Sequence, residues 1–161
     1  MAATPSIVWL RDDLRVADNP ALTAAVERGA PIVVLYLLDE DSPGARPLGG
    51  ASRWWLHGSL TALAAELAER GGQLTLRRGA AGTVIPALAA AIGASAVYWN
   101  RRYGALREVD AELKQRLRDD GLVVQSFGAS LLFEPWTITT GAGDPYRVFT
   151  PFWRACLAAD G

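Results

Sequence analysis

The sequence predicts an α/β fold: a Rossmann-like, doubly wound open sheet of five parallel strands with helices on both faces. Three observations carry that expectation. Between residues 6 and 127, short β-branched apolar runs alternate with helical stripes in the order β-α-β-α-β-α-β-α-β, the pattern that crossover connections give a parallel sheet. Residues 31–38 (PIVVLYLL) are apolar almost throughout, as suits a central strand covered on both faces. Finally, 161 residues, 50% of them hydrophobic, suffice for one compact core and are too apolar for a disordered chain.

The elements follow in order. The first strand is expected at 7–10, inside SIVWLR. Asn19 then reads as an N-cap with Pro20 at the first helical position, where its missing N–H costs nothing, and Gly29 ends that helix. The second strand spans 32–37. Two prolines and three glycines make 39–50 an irregular loop. A long helix over 51–70 carries Leu56, Leu60, Leu63 and Leu67 at i, i+4, i+7 and i+11 as its buried stripe, and Gly71 and Gly72 stop it. The third strand is at 74–77. A helix over 83–92 follows, with Pro86 in its first turn. The fourth strand covers 96–99. The helix at 106–120 turns Leu106, Val109, Leu113 and Leu117 inward and leaves Asp110–Lys114 and Glu112–Arg116 outside as solvated i, i+4 pairs. The fifth strand is at 122–126.

Beyond this point the pattern changes. Residues 131–143 (LLFEPWTITTGAG) alternate poorly and read as extended chain with turns. Thr150 and Pro151 read as N-cap and first-turn proline of a helix cut short at Gly161, so the chain is expected to be a fragment. Residues 1–130 form the α/β domain, and 131–161 a connector and the start of a further domain. Phe149, Phe152, Trp153 and Leu157 find no partner pattern within 1–127. They are expected to form an exposed apolar patch that promotes self-association.

Composition narrows the chemistry. Sixteen basic and 17 acidic residues leave a net charge of −1, with no overall attraction to phosphate polymers or anionic lipid. A single cysteine, Cys156, and a single histidine, His57, rule out a disulfide framework and the usual zinc ligand sets. No apolar run approaches the roughly 20 residues that span a bilayer, and the N-terminus lacks a signal-peptide pattern. The expected setting is the cytoplasm, without membrane contact. Neither GxGxxG after the first strand nor GxxxxGK[ST] occurs. No serine or cysteine elbow accompanies His57, which reads as a half-buried structural histidine, so no catalytic residue is assigned. Cys156 reads as an inert, small apolar residue, and Trp54 and Trp55 as packing anchors.

Two segments gather polar groups where open α/β sheets bind ligands, beyond the carboxyl ends of the strands. Arg11, Asp12, Asp13, Arg15 and Asp18 follow the first strand. Arg11 and Arg15 either grip a phosphate or carboxylate or pair with Asp12, Asp13 and Asp18 to fix the loop. Asn100, Arg101, Arg102 and Tyr103 follow Trp99 at the end of the fourth. They suit a planar heteroaromatic ligand, stacked on an aromatic face with its edges met by amide and guanidinium. The alternative is a core tryptophan with a solvated arginine pair.

Four blocks in register resemble one family, the photolyases and cryptochromes, and most nearly the class I cyclobutane pyrimidine dimer photolyases. They are IVWLRDDLRVADNPAL at 7–22, SRWWLHGSLTAL at 52–63, VYWNRRYG at 97–104 and LLFEPWTITTGAGDPYRVFTPFWRACL at 131–157. The resemblance implies the N-terminal α/β domain, which in the family holds a light-harvesting antenna chromophore. A helical domain that binds FAD and damaged DNA normally follows it. Whether the whole protein is an enzyme, a carbon–carbon lyase repairing dimers by photoexcited electron transfer, is left open. These residues alone are expected to be inactive and to contact DNA only through that further domain. The alternatives are a cryptochrome-type blue-light signalling module and, more remotely, a free-standing nucleotide-binding domain. The resemblance places the antenna against Arg11, Leu38, Arg53, Asn100, Arg102 and Tyr103, between the ends of the first, second and fourth strands and the start of the long helix. Arg102 favours a deazaflavin or flavin over methenyltetrahydrofolate, and the alternative is an empty or water-filled cleft with these arginines paired to Asp12, Asp13 and Asp39.

Overall fold

A computed structural model describes residues 4–159. Its elements are β1 (Ser6–Leu10), α1 (Pro20–Glu27), β2 (Ile32–Leu38), α2 (Gly50–Glu69), β3 (Leu74–Arg78), α3 (Ala81–Ile92), β4 (Ala96–Asn100), α4 (Arg107–Asp119), β5 (Val123–Phe127) and α5 (Phe149–Ala158). The five strands form one parallel sheet in the order β3-β2-β1-β4-β5. Winding reverses between β1 and β4, because the chain builds outward through β2 and β3 and then returns through α3 to the other side of β1. The strands meet expectation to within a residue or two.

Alternation along the strands fills two cores. Ile7, Trp9, Leu35, Val97 and Trp99 face Ile85 of α3 and Leu113 and Leu117 of α4. Val8, Leu10, Val34 and Tyr98 face Ala21 and Ala25 of α1 and Leu63 and Leu67 of α2. Trp9 and Trp99 meet edge to face at 5.7 Å.

Several local expectations are corrected. α3 begins at Ala81 rather than residue 83, because its first N–H groups are capped from a distance: Ala81 N donates to Asp39 Oδ2 (3.1 Å) and Ser42 Oγ (3.3 Å). Gly79 makes the entry turn at φ +128°, where a Cβ would lie 3.1 Å from Val84 Cγ2. Pro86 therefore lies past the first turn. The Gly82 carbonyl that it leaves unbonded accepts from Arg116 Nη1 at 3.0 Å instead. Asp110 does not lie on the solvated face of α4; it is buried. α5 starts at Phe149 with Val148 at the N-cap, so Thr150 is a first-turn residue and Pro151 still falls where no N–H is needed.

The described residues divide into two compact units, the first ending at Ala129 and the second beginning at Ser130. In the second, an isolated bridge joins Thr139 and Pro145 and α5 follows. Phe149 stacks on Trp153 at 6.2 Å and Tyr146 meets Phe152 edge-on at 6.3 Å. Phe149, Phe152, Trp153 and Leu157 are all exposed. Among the described residues no helix is long and apolar enough to cross a membrane.

Candidate functional site

At the β1/β4 reversal, where a doubly wound sheet usually opens a crevice, the chain's own side chains fill the space. The carboxamide of Asn100, at the end of β4, makes three bonds. Its Nδ2 donates to Asp13 Oδ2 (2.6 Å) and Asn19 Oδ1 (2.8 Å), and its Oδ1 accepts from Ala21 N (3.1 Å). Asp13 also accepts from Arg11 N at 2.7 Å, and Asn19 caps α1 through Leu22 N at 3.2 Å. The amide thus ties β4 to the β1–α1 loop and to the first turn of α1.

Arg11 follows β1 with its guanidinium laid on the Trp9 ring, 4.3 Å from the centroid. Its Nη1 donates to Asp110 Oδ2 at 2.7 Å and its Nη2 to the Asn100 carbonyl. Arg102 holds the same carboxylate from the other side, Nε to Oδ2 at 3.2 Å and Nη2 to Oδ1 at 2.8 Å. Burial lowers the basicity of Arg11; Asp110 opposes that shift and Arg102 adds to it. Two guanidiniums and the carboxylates of Asp110 and Asp13 leave this cluster without net charge. The expected pairing of Arg11 and Arg102 with Asp12, Asp13 and Asp39 is corrected: their side-chain acceptor is Asp110, and Asp39 caps α3, whereas Arg15 does lie against Asp18, at 4.0 Å.

The open space lies beside this cluster, under α2. A groove of about 870 Å³ runs between the carboxyl ends of β1 and β2 and the first half of the helix. Arg11, Asp12 and Leu14 form one side, Ser52, Trp55 and Ser59 the other, with Tyr36 and Leu63 also lining it. It exists because α2 meets the sheet only along its second half. Leu63 and Leu67 are buried, whereas Leu56 and Leu60 are half-exposed, which corrects the expectation of a fully buried stripe. Trp54 and Trp55 are 75% and 71% exposed and anchor nothing in the core. His57 is exposed rather than half-buried. With Trp54, Trp55, Gly58 and Ser59 it lines a notch of about 460 Å³ that shares Trp55 and Ser59 with the groove. An apolar slot of about 460 Å³ between Leu38, Leu56, Leu60 and Leu76 shares Tyr36 and Leu56 with it. Burial, then Asp12 and Glu40, raises the Tyr36 phenol pKa, so Tyr36 stays a hydrogen-bond donor.

Of the six residues selected from the sequence, Arg11, Asn100 and Arg102 converge on one network, and Arg11 alone of them lines the groove. Leu38 lines the slot. Arg53 sits at the start of α2, where it donates to Glu40 Oε1 at 2.6 Å and to the Leu48 carbonyl at 2.9 Å. Tyr103 is half-buried in the loop after β4 and borders none of these cavities. Sequence reasoning missed Tyr36, Trp55 and Asp110. For Asp110 a signal exists: it lies three and seven residues before Leu113 and Leu117, on the buried face itself.

Fold and site together define a doubly wound α/β domain with an aromatic-walled groove at the strand ends. The sequence profile described as DNA photolyase matches residues 6–160, and the chain belongs to that family, corresponding to its N-terminal α/β domain. It is 49% identical to the deoxyribodipyrimidine photo-lyase of Agrobacterium fabrum, over 99% of this chain and 33% of that protein. It is 40% identical to cryptochrome-1 of Arabidopsis thaliana, over 95% of this chain and 23% of that one. The crystal structure of a class III photolyase from Agrobacterium tumefaciens superposes with a TM-score of 0.91 at 49% identity, covering 99% of this chain and 33% of that one. The chain therefore spans about a third of the photolyase it matches.

Proposed function

We propose that this domain is the light-harvesting part of a DNA photolyase, and that the groove under α2 holds its antenna chromophore. The observation that carries the reading is the exposed indole pair. Leaving Trp54 and Trp55 more than 70% exposed stabilises no core, and Trp55 borders both the groove and the notch while Trp54 borders the notch, cavities large enough for a fused ring system. A planar heteroaromatic ring stacks on indole. Asp12 and Tyr36, which line the groove, would hold the polar edges of such a ring, Asp12 as an acceptor and Tyr36 as a donor. Asn100 ties the β1–α1 loop to β4, Arg11 and Arg102 share the Asp110 carboxylate beside the groove, and Leu38 lines the slot.

The charge argument for a flavin or deazaflavin over methenyltetrahydrofolate loses its basis, because Arg102 is bound through two nitrogens to Asp110. The three are ranked by titration, following fluorescence polarisation of flavin mononucleotide, a deazaflavin and methenyltetrahydrofolate. At least one binds stoichiometrically and weakens about tenfold or more in Trp55→Ala, the loss of a stacked aromatic face. Binding of none of the three contradicts the reading. For the whole protein, repair of pyrimidine dimers is proposed ahead of cryptochrome-type signalling, on the higher identity to the photolyase. These residues alone are expected to show no FAD-dependent repair; measured light-driven turnover by them overturns that.

A further inference from the structure

On the reading of the α2 groove as a chromophore site, we propose that the apolar slot beside it is a subsite for the tail of the same ligand. That tail is an extension ending in an anion, a carboxylate or a phosphate, which meets Arg77 and Arg78. The slot opens off the groove, and the two share Tyr36 and Leu56. Its volume of about 460 Å³ adds to the groove's 870 Å³ and is room beyond a fused ring. Leu38 and Leu76 wall it from the sheet, Leu56 and Leu60 from α2. Leu76, on the edge strand β3, is 53% exposed, so these leucines offer apolar contact that the chain itself does not use. Apart from Tyr36, polarity enters only at the end of β3, where Arg77 and Arg78 line the slot.

Charge at that end of the slot does not balance. Glu40 accepts from Arg53 Nη2 at 2.6 Å, from Arg78 Nη2 at 3.1 Å and from Leu48 N at 2.9 Å. One carboxylate thus serves two guanidiniums. Asp39, its neighbour in sequence, is engaged by Ser42 Oγ and by the first N–H of α3. Arg77 has no carboxylate: its Nη1 donates to the Leu76 carbonyl at 2.9 Å, and among the described residues it forms no ion pair. Its Nε and Nη2 remain for a ligand, and Arg78 keeps Nε and Nη1. A guanidinium gives a carboxylate or phosphate charge-assisted hydrogen bonds, and the leucine walls lower the local dielectric in which such a pair forms.

Flavin mononucleotide and riboflavin share one ring and differ in the terminal phosphate, so the pair separates tail from ring. Polarisation titrations of both, and of methenyltetrahydrofolate as the carboxylate-ended source, are compared between the full chain and its Arg77→Gln/Arg78→Gln variant. Both arginines are exposed, and riboflavin reports whether the groove is intact. Each anionic ligand that binds the parent is expected to weaken about fivefold or more in the double variant, the loss of a hydrogen bond to a charged group. Riboflavin should change by less than about twofold. Leu76→Glu, which sets a carboxylate beside the slot, should act in the same direction, and added salt should narrow the gap between the two flavins. Unchanged affinity of the anionic ligands in the double variant, or an equal fall for riboflavin, overturns the tail subsite and leaves the groove reading standing. Binding of none of the three overturns the groove reading and the subsite with it.

Discussion

Asp110 shows how one side chain can join two electrostatic problems. Arg11 and Arg102 are both largely withdrawn from water, with side chains 5% and 15% exposed, and this single carboxylate bonds them both. Asp110→Asn leaves two desolvated guanidiniums against one neutral amide and is expected to cost about 3 kcal/mol or more in urea unfolding, the usual cost of breaking a buried pair. Glu112→Gln, on the exposed side of the same helix, should change stability by less than about 0.5 kcal/mol. Equal effects would show that Asp110 is no more than a surface group. Glu40 tests the linkage to pH. The Leu48 N–H bond lowers its carboxyl pKa below the ordinary 4.5; burial opposes this and Arg53 and Arg78 reinforce it. A depressed pKa contributes stability that is present above the unfolded value and lost as pH falls through the folded one. The thermal midpoints of the parent and Glu40→Gln should therefore differ at pH 7 and converge in acid below 4.5; a gap that persists there contradicts the assignment. The sequence announced that Arg11, Asn100 and Arg102 belong together. It did not announce their partner, because an aspartate at i, i+4 from a lysine looks like a surface pair until a third element competes for it.

At the scale of elements, α2 is the informative case. Its leucine spacing was legible, but spacing says nothing of how far along the helix the sheet remains in contact. Leu63→Ala should cost about 2–4 kcal/mol, since that side chain is 2% exposed and packs in the core at the groove's inner end, while the half-exposed Leu56→Ala should cost about 1 kcal/mol or less. Similar losses would mean that the first half of α2 is also core. α3 shows a second limit on sequence reading. Its start two residues early depends on Asp39 and Ser42, some forty positions away, and Pro86 is tolerated because Arg116 satisfies the carbonyl it orphans. Local rules place caps and prolines by their neighbours, and these neighbours arrive only with the tertiary fold. The strands needed no such help. Their apolar runs are continuous because both faces of a parallel sheet are covered.

Over the whole molecule, the sheet order and the groove divide the work. The buried network closes the β1/β4 reversal, where ligands of doubly wound folds usually sit, and the open volume lies one strand over, between β1, β2 and α2. The fold class was readable from alternation alone. That shift of the cavity was not, because it arises from where α2 departs from the sheet. The second unit has exposed aromatic residues on α5. Deleting 145–161 should leave the unfolding midpoint of the sheet within a few degrees and reduce self-association in sedimentation velocity; loss of cooperative unfolding would show that α5 is part of the core. The central claim, that the α2 groove rather than the β1/β4 reversal receives the chromophore, is tested most directly by filling the groove. Ala62 lines it and is exposed, so Ala62→Trp occupies the space while Asn100, Arg102 and Asp110, which do not line it, stay as they are. Polarisation titration of this variant with the chromophore that binds the parent should show affinity reduced by about tenfold or more, with the unfolding curve unchanged. Undiminished binding to Ala62→Trp would contradict the account.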